Sequence, residues 1–270
     1  MFIILTDNEF FAEGKQIHQM NAGSSITNET FEELRIKTTR FGLQYKFALE
    51  EISTKVNILK EEFRLIHEYN PIEHVVTRIK SAESIMKKTA KKGLPLSLDA
   101  IERNIKDIAG IRIICSFVQD IYRISEMIQG QSDIEVVEIK DYIKNPKPNG
   151  YQSLHIVMKI PVFMSDRVIK VFVEMQVRTI AMDFWASLEH KIYYKYNKQI
   201  PEHLTRQLKE AAETAAELDR KMEHLNNEVN ILKENDGDDN TESFTFNPKE
   251  LVEQLMRNME MLNNYSPKTK

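Results

Sequence analysis

Cysteine is nearly absent from this chain, which contains one among its 270 residues. Cys115 therefore has no partner for an intramolecular disulfide, which excludes the small disulfide-rich scaffolds of secreted proteins. Its apolar neighbours indicate a small core residue, with a reactive thiol as the alternative. The apolar run at residues 2–5 is far too short to span a membrane, and no signal-peptide pattern follows it. We expect a cytoplasmic protein with one sizeable core, since 41% of its residues are hydrophobic.

An excess of positive charge is also missing, because 37 lysines and arginines stand against 41 acidic residues and give a net charge of -4. This balance argues against a large RNA-binding surface. Residues 78–92 (RIKSAESIMKKTAKK) are the exception, with six basic residues and a single acid. Helical spacing predicts that one face carries Lys80, Ser84, Lys88 and Lys91. This segment is either a solvated helix face or a phosphate-binding site, and we favour the second.

Residues 173–185 (VEMQVRTIAMDFW) predict a strand that runs directly into a helix. Because side chains alternate along a strand, Glu174, Gln176 and Arg178 should project from one face and the apolar residues between them from the other. An edge strand with a solvated polar face is the ordinary explanation of such a pattern. The alternative is that a carboxylate, an amide and a guanidinium line a functional surface.

A second strand is predicted from the apolar run at residues 111–117. Arg112 lies inside this run, and a buried guanidinium has to be paired or to point into a cleft. We expect Asp107 to end a helix just before the run. On neighbouring strands, Asp107 and Glu174 would be candidate ligands for Mg²⁺, which prefers one or two carboxylates together with phosphate oxygens.

The loop at residues 140–155 (KDYIKNPKPNGYQSLH) combines a rigid turn with cationic and aromatic side chains. The turn is set by Pro146, Pro148 and Gly150. It presents Lys144, Lys147, Asn149 and Tyr151, and His155 follows at the start of the next predicted strand. Tyr151 is either a packed turn residue or a platform on which a base can stack.

Four stretches together resemble the synthetase domain of the RelA/SpoT family, and in particular its small alarmone synthetases. They are residues 72–92, 107–117, 140–155 and 173–196, within a similarity that runs over about residues 29–229. The resemblance implies transfer of the pyrophosphate of ATP to the ribose 3′-hydroxyl of GTP or GDP. The products would be AMP and pppGpp or ppGpp, the alarmones of the stringent response. It also implies Mg²⁺ as cofactor and a homotetramer, with no membrane or nucleic-acid partner.

The resemblance further implies a role for each motif residue. The ATP phosphates would be held by Arg78, Lys80, Ser84, Lys88 and Lys91. Arg112 would stack on adenine and Tyr151 on guanine. The acceptor nucleotide would be positioned by Lys147, Asn149, His155 and Gln176. Asp107 would hold Mg²⁺, while Glu174 would assist the metal, accept the 3′-hydroxyl proton, or do both.

The family fold would be α+β, with a mixed β-sheet of nucleotidyltransferase-like topology flanked by helices. The residues agree with this expectation, since strands interleave with helices over about residues 72–177 and a helical pattern covers residues 30–68. After the sheet, a long C-terminal helix is predicted by an apolar seam of heptad type. The seam consists of Leu204, Leu208, Ala211, Ala215, Leu218, Met222, Leu225, Val229 and Leu232. It packs either on its own sheet or against other copies of the chain.

The domain organisation follows from these patterns. Residues 1–28 are predicted to be a loose N-terminal segment, and residues 29–234 the synthetase domain with its C-terminal oligomerisation helix. Residues 235–247 are acidic and polar, which predicts a linker, and residues 248–270 predict a short helical tail.

Two departures from the wider family narrow the expected function. No histidine is followed by aspartate, the pair that the hydrolase domain of long relatives carries, so we expect synthesis without hydrolysis. In one branch, product activates through an aromatic residue, a threonine and an asparagine where this chain has His74, Val76 and Asp183, so we expect no strong product activation. The alternatives are a pyrophosphokinase of the tRNA 3′ end and an inactive nucleotide-sensing oligomer.

Overall fold

A computed structural model describes residues 28–67, 69–194, 201–236 and residue 256. Six helices lie in these ranges: α1 (Asn28–Ile66), α2 (Ala82–Lys91), α3 (Leu98–Asn104), α4 (Val118–Gln129), α5 (Ile180–Tyr194) and α6 (Glu202–Asp236). Five strands accompany them: β1 (Ile72–Ile79), β2 (Ala109–Cys115), β3 (Glu135–Asp141), β4 (Leu154–Phe163) and β5 (Val168–Thr179). The predicted segments 1–28, 235–247 and 248–270 lie outside the described residues, except for residues 28, 235, 236 and 256.

The five strands form one mixed sheet in the order β1-β2-β5-β4-β3. Strands β2 and β5 are parallel, and every other neighbouring pair is antiparallel. Because β5 joins the sheet between β2 and β4, the middle of the sheet combines residues far apart in the sequence. The expected α+β class with a mixed sheet and flanking helices is confirmed.

The hydrophobic core lies on one face of this sheet. Strand β5 follows the predicted alternation, with Val173, Met175 and Val177 fully buried. Helices α1 and α4 cover that face, and Ile52 of α1 and Ile124 of α4 are both completely buried in the same cluster. Burial of one such side chain contributes about 1.5–3 kcal/mol, so this face holds the strands in their register. The opposite face is therefore free to carry polar groups.

Helix α6 uses two of its sides differently. On the side toward the fold, Leu208 and Ala212 pack with Trp185 of α5. Further along the same helix, Asp219 accepts a hydrogen bond from the Thr179 hydroxyl, and Glu223 accepts one from the backbone N–H of Gln119. The distal half of the predicted seam is instead about half exposed: Leu218, Met222, Leu225, Val229 and Leu232. In the first part of the predicted seam, Leu208 and Ala215 pack on the fold beside Ala212, whereas Leu204 and Ala211 are exposed. Packing on its own fold therefore covers only a small part of the seam, and the oligomer stays a prediction. No described helix is both long and apolar enough to cross a membrane.

Candidate active site

The polar face of the three central strands brings together four of the predicted site residues. Glu174 on β5 lies opposite Gly110 on β2, and Gln176 lies opposite both Arg112 on β2 and His155 on β4. Glu174 keeps 18% of its side chain exposed, and Arg178 only 5%. The face is thus not the solvated edge that was the ordinary alternative, because β5 is an inner strand whose polar groups are mostly covered.

Asp107 stands at the end of this face and receives two lysines. Its Oδ2 lies 2.6 Å from Nζ of Lys88 and 3.0 Å from Nζ of Lys80. The expectation that Asp107 ends a helix is wrong, because α3 stops at Asn104 when Ile105 turns to an extended conformation. Asp107 lies instead in the turn before β2, which aims its carboxylate toward the lysines.

The second oxygen of Asp107 is the clearest sign of a metal-binding capacity. Within the described part of the chain, its Oδ1 is buried and has no hydrogen-bond partner. Burial alone would raise the pKa of Asp107, but the hydrogen bonds from Lys88 and Lys80 hold that pKa below its ordinary value. Asp107 therefore presents an ionised, unshared oxygen, which fits a hard cation such as Mg²⁺.

Glu174 has two polar neighbours on the same face of the sheet. Its Oε2 accepts a hydrogen bond from Gln176 at 2.9 Å, and its Oε1 faces Nδ1 of His155 at 3.6 Å. Burial opposes ionisation, yet these two neighbours keep the pKa of Glu174 below its ordinary value, while the charge of Asp107 acts in the other direction. The charge of Asp107 therefore reaches Glu174, so the two carboxylates lie within range of electrostatic interaction.

The basic segment is only partly arranged as predicted. Lys80 precedes α2 and is not on its face, although it meets Lys88 at Asp107. The Ser81 hydroxyl accepts from the backbone N–H of Ser84, which caps α2, and donates to the Ser84 hydroxyl. Lys91 is exposed in the last turn of the helix. Arg78 runs across Gly110, where an added Cβ would come within 3.3 Å of the arginine side chain. Glycine thus allows the Arg78 guanidinium to approach the sheet beside Glu174.

The loop between β3 and β4 forms an aromatic and cationic wall. Nζ of Lys147 lies 4.5 Å from the ring centroid of Tyr151 and 4.7 Å from that of Tyr142. The Tyr151 hydroxyl lies 2.7 Å from Nε2 of His155, and burial lowers the pKa of this histidine despite the nearby carboxylate of Glu174. A neutral imidazole can therefore accept from Tyr151 and donate toward Glu174. Sequence reasoning missed Tyr142, whose position depends on the pairing of β3 with β4.

The same loop is anchored to the C-terminal helices. Asn149 donates from Nδ2 to Glu189 of α5 at 3.1 Å and accepts from the backbone N–H of Tyr151. Gly150 has φ +88°, and its Cα packs so closely on α6 that an added Cβ would lie 2.5 Å from Cβ of Ala212. The geometry of Tyr151 is therefore tied to the packing of α6.

Arg178 and Asp183 complete the site. The sequence placed Arg178 on one strand face with Glu174 and Gln176 without giving it an individual role, and it considered Asp183 only in relation to product activation. Arg178 donates to Tyr151, Gln176 and Asp183. Asp183 also accepts from Arg112, with Nη1 to Oδ1 at 2.8 Å. Its negative charge is thus paired with two arginines, which offset the repulsion that an aspartate at this position would add toward a polyphosphate product. The expectation of weak product activation then depends on His74 and Val76 alone.

The comparisons with known proteins agree with this arrangement. A family model described as "Region found in RelA / SpoT proteins" matches residues 77–199. The chain is 52% identical to the GTP pyrophosphokinase YwaC of Bacillus subtilis over 187 residues, which cover 69% of this chain and 89% of that protein.

Two solved structures give the same result. The small alarmone synthetase 2 of B. subtilis superposes with a TM-score of 0.65 at 50% identity, over 71% of this chain and 98% of that one. The small alarmone synthetase 1 of B. subtilis, bound to its product pppGpp, superposes with a TM-score of 0.67 at 39% identity, over 72% and 98%. The chain therefore belongs to the RelA/SpoT family and, within it, to the small alarmone synthetases.

Proposed function

We propose that this protein transfers the pyrophosphate of ATP to the 3′-hydroxyl of GTP or GDP, in the cytoplasm, and that it does not hydrolyse the product. The observation that carries the proposal is the position of Glu174 on the polar face of the sheet, where the charge of Asp107 reaches it, with a pair of lysines at Asp107 and with Lys147 over the ring of Tyr151. Such a transfer depends mainly on alignment and on neutralisation of charge, and needs little covalent participation from the protein.

On the donor side, Lys80 and Lys88 would neutralise the ATP phosphates, because both ammonium groups already converge on one point. Arg78, Ser84 and Lys91 would extend this cationic surface, and Arg112 would lie against adenine. A phosphate approaching Asp107 meets these lysines first, and each charge-assisted hydrogen bond contributes about 1.5–3 kcal/mol.

Asp107 and Glu174 would hold Mg²⁺. The ion would neutralise charge on the transferred group and on the departing AMP. The free oxygen of Asp107 supports this assignment, since Oδ2 is occupied by lysines and Oδ1 is not. Magnesium needs one or two carboxylates when substrate phosphates supply further oxygens, so this pair is sufficient.

On the acceptor side, Tyr151 would stack on guanine, with Lys147 beside its ring and Asn149 supporting the turn. His155 and Gln176 both point at Glu174, so they would hold its carboxylate toward the ribose. Because the pKa of Glu174 lies below its ordinary value, the group is ionised at neutral pH and can take the 3′-hydroxyl proton as the new bond forms.

The direct test is to incubate the purified protein and Mg²⁺ with ATP labelled in its terminal phosphates. GTP, GDP and tRNA are offered in separate reactions, and the products are resolved by chromatography. We expect AMP and labelled pppGpp or ppGpp in equal amounts, and no release of pyrophosphate from added pppGpp. Label that stays in ATP, or that appears only on tRNA, would contradict the proposal.

Glu174→Gln separates the two roles of the glutamate. The amide cannot accept the proton, so kcat should fall about 10²–10⁴-fold, with KM for each nucleotide changed little. If Glu174 is the general base, raising the Mg²⁺ concentration should not restore kcat. Restoration of kcat would show that Glu174 acts as a metal ligand instead. Glu135→Gln is the matched control, because Glu135 is an exposed glutamate of the same sheet that pairs with Lys159 and Lys170.

The exposed part of the α6 seam supports a homotetramer. Leu225 is 52% exposed, and Leu225→Asp would not disturb the fold of one subunit. We expect this variant to lower the molar mass measured by light scattering after size-exclusion chromatography. Asn227→Asp adds the same charge to an exposed position on another side of α6 and should leave the mass unchanged. An unaltered mass for Leu225→Asp would remove the seam from the interface.

A further inference from the structure

One buried guanidinium connects the residues proposed to bind the acceptor. Arg178, of which 4% is exposed, donates from Nη2 to the Tyr151 hydroxyl at 2.6 Å and to Oε1 of Gln176 at 2.8 Å. Its Nε lies 3.4 Å from Oγ of Ser153, and its charged end lies 5.1 Å from the centroid of the Tyr151 ring. The fork geometry of arginine therefore sets the height and the tilt of that ring.

A further hydrogen bond of Arg178 extends the network to the side of the site proposed to bind ATP. Its Nη1 donates to Oδ1 of Asp183 at 3.0 Å, and the same oxygen accepts from Nη1 of Arg112 at 2.8 Å. Both guanidinium groups are largely covered, with 5% and 12% of their side chains exposed. One carboxylate oxygen thus joins the arginine under the guanine platform to the arginine assigned to adenine.

The contact of Asp183 with both arginines has an electrostatic effect on their positions. Two buried guanidinium groups repel each other, and burial together with Arg178 lowers the pKa of Arg112 to about 10, against the opposing effect of Asp183. Asp183 therefore offsets a repulsion that would otherwise move the two arginines apart. Charges in contact at partly buried positions interact strongly enough to set side-chain orientation.

We propose that Arg178 and Asp183 are positioning residues that couple the two nucleotide sites, so that a guanine nucleotide bound against Tyr151 orients Arg112 for adenine. The inference rests on the proposed function, because it takes Tyr151 and Arg112 as the two base-binding residues. Neither positioning residue needs to touch the reacting atoms. Ordering one half of a shared network lowers the cost of ordering the other half, which gives positive cooperativity between the ligands.

Binding measurements test the coupling without depending on turnover if they use an ATP analogue with a methylene group in place of the oxygen between the α and β phosphates, where the transfer breaks ATP. The dissociation constant of the analogue is measured by calorimetry, with and without saturating GDP. For the unaltered protein we expect GDP to tighten the analogue at least about fivefold, and the analogue to tighten GDP by the same factor. Asp183→Asn and Arg178→Lys should each reduce that factor to about twofold or less.

The two variants and their controls exclude a general loss of structure. Asp183→Asn keeps the shape of the side chain, and Arg178→Lys keeps a positive charge but loses the fork. There are two matched controls. Asp133→Asn changes an exposed carboxylate that pairs with Lys55. Arg123→Lys changes an arginine of α4 whose guanidinium lies over the ring of Phe63 in α1. Both controls should retain the full coupling factor.

Each outcome bears on one of the two proposals. If the unaltered protein makes pppGpp but shows no mutual tightening, or if both site variants keep the full factor, the coupling is overturned and the proposed function stands. A protein that binds both nucleotides with coupling but makes no product would overturn the proposed function alone. Coupling lost only in the two site variants supports the assignment of Arg178 and Asp183.

Discussion

Gly150 offers the sharpest test of how the guanine platform is held. An alanine there would place its Cβ 2.5 Å from Cβ of Ala212, and the backbone would have to keep φ at +88°. The left-handed conformation costs an alanine about 1–2 kcal/mol. Overpacking against α6 adds about 1–3 kcal/mol, because Ala212 is buried and its backbone is fixed by the helix. Gly150→Ala should therefore lower the free energy of unfolding by about 2–5 kcal/mol.

Three further variants separate these contributions. Gly93→Ala isolates the backbone cost, since Gly93 has φ +64° and no atom within 4 Å of an added Cβ, so it should lose only about 1–2 kcal/mol. Ala212→Gly places glycine inside a helix and costs about 1 kcal/mol by itself. In the double variant Gly150→Ala with Ala212→Gly the clash is gone. Its loss should be smaller than the sum of the single losses by about 1–3 kcal/mol.

Urea unfolding followed by circular dichroism, at one fixed protein concentration, measures all four variants. Synthesis assays follow in parallel, because Tyr151 comes next in the chain and should move with the turn. Gly150→Ala is expected to raise KM for the guanine nucleotide more than KM for ATP, and the double variant should recover part of that change. Strict additivity of the two substitutions, within about 0.5 kcal/mol, would refute the proposed contact between the turn and α6.

Two other variants test the charges around the site. Lys88→Met removes the nearest cation from Asp107, so the pKa of Asp107 should rise, the acidic limb of the kcat/KM profile should move to higher pH, and KM for ATP should increase about 10–100-fold. An unchanged acidic limb would separate Asp107 from the activity. Burial raises the pKa of Asp219, so its ionised form costs stability at neutral pH, and this cost fades as the pH falls through the raised pKa. Asp219→Asn retains an acceptor for the Thr179 hydroxyl. It should raise the urea midpoint at pH 7.5, and this gain should vanish below about pH 4. Equal midpoints of the variant and the unaltered protein at pH 7.5 would contradict the prediction.

Much of the site could be read from local patterns. Alternation along β5 correctly assigned Glu174 and Gln176 to one face, and an arginine inside an apolar strand correctly indicated a paired group in Arg112. The turn signals before β4 correctly marked the loop that carries Tyr151. Such patterns are informative because strand periodicity and turn chemistry depend on residues only a few positions apart.

Other features follow from contacts across the fold, and no local pattern contains them. Lys80 and Lys88 converge on Asp107 although they do not share a helix face, and the inner side of α6 uses Asp219 and Glu223 where a heptad predicts apolar packing. These contacts depend on strand register and on where each helix crosses the sheet, which is set by the burial of the whole apolar face.

Local patterns in the sequence thus indicated the interleaved strands and helices and most of the residues of the candidate site, and the resemblance to a known family implied the fold class and the activity. Tertiary packing alone decided that Arg112, Arg178 and Asp183 meet in one network, and that Gly150 lies against Ala212. The physical reason is distance along the chain. Local rules act over one turn of helix or two residues of strand, whereas Arg112 reaches Asp183, and Gly150 reaches Ala212, only when the complete sheet and its helices have been assembled.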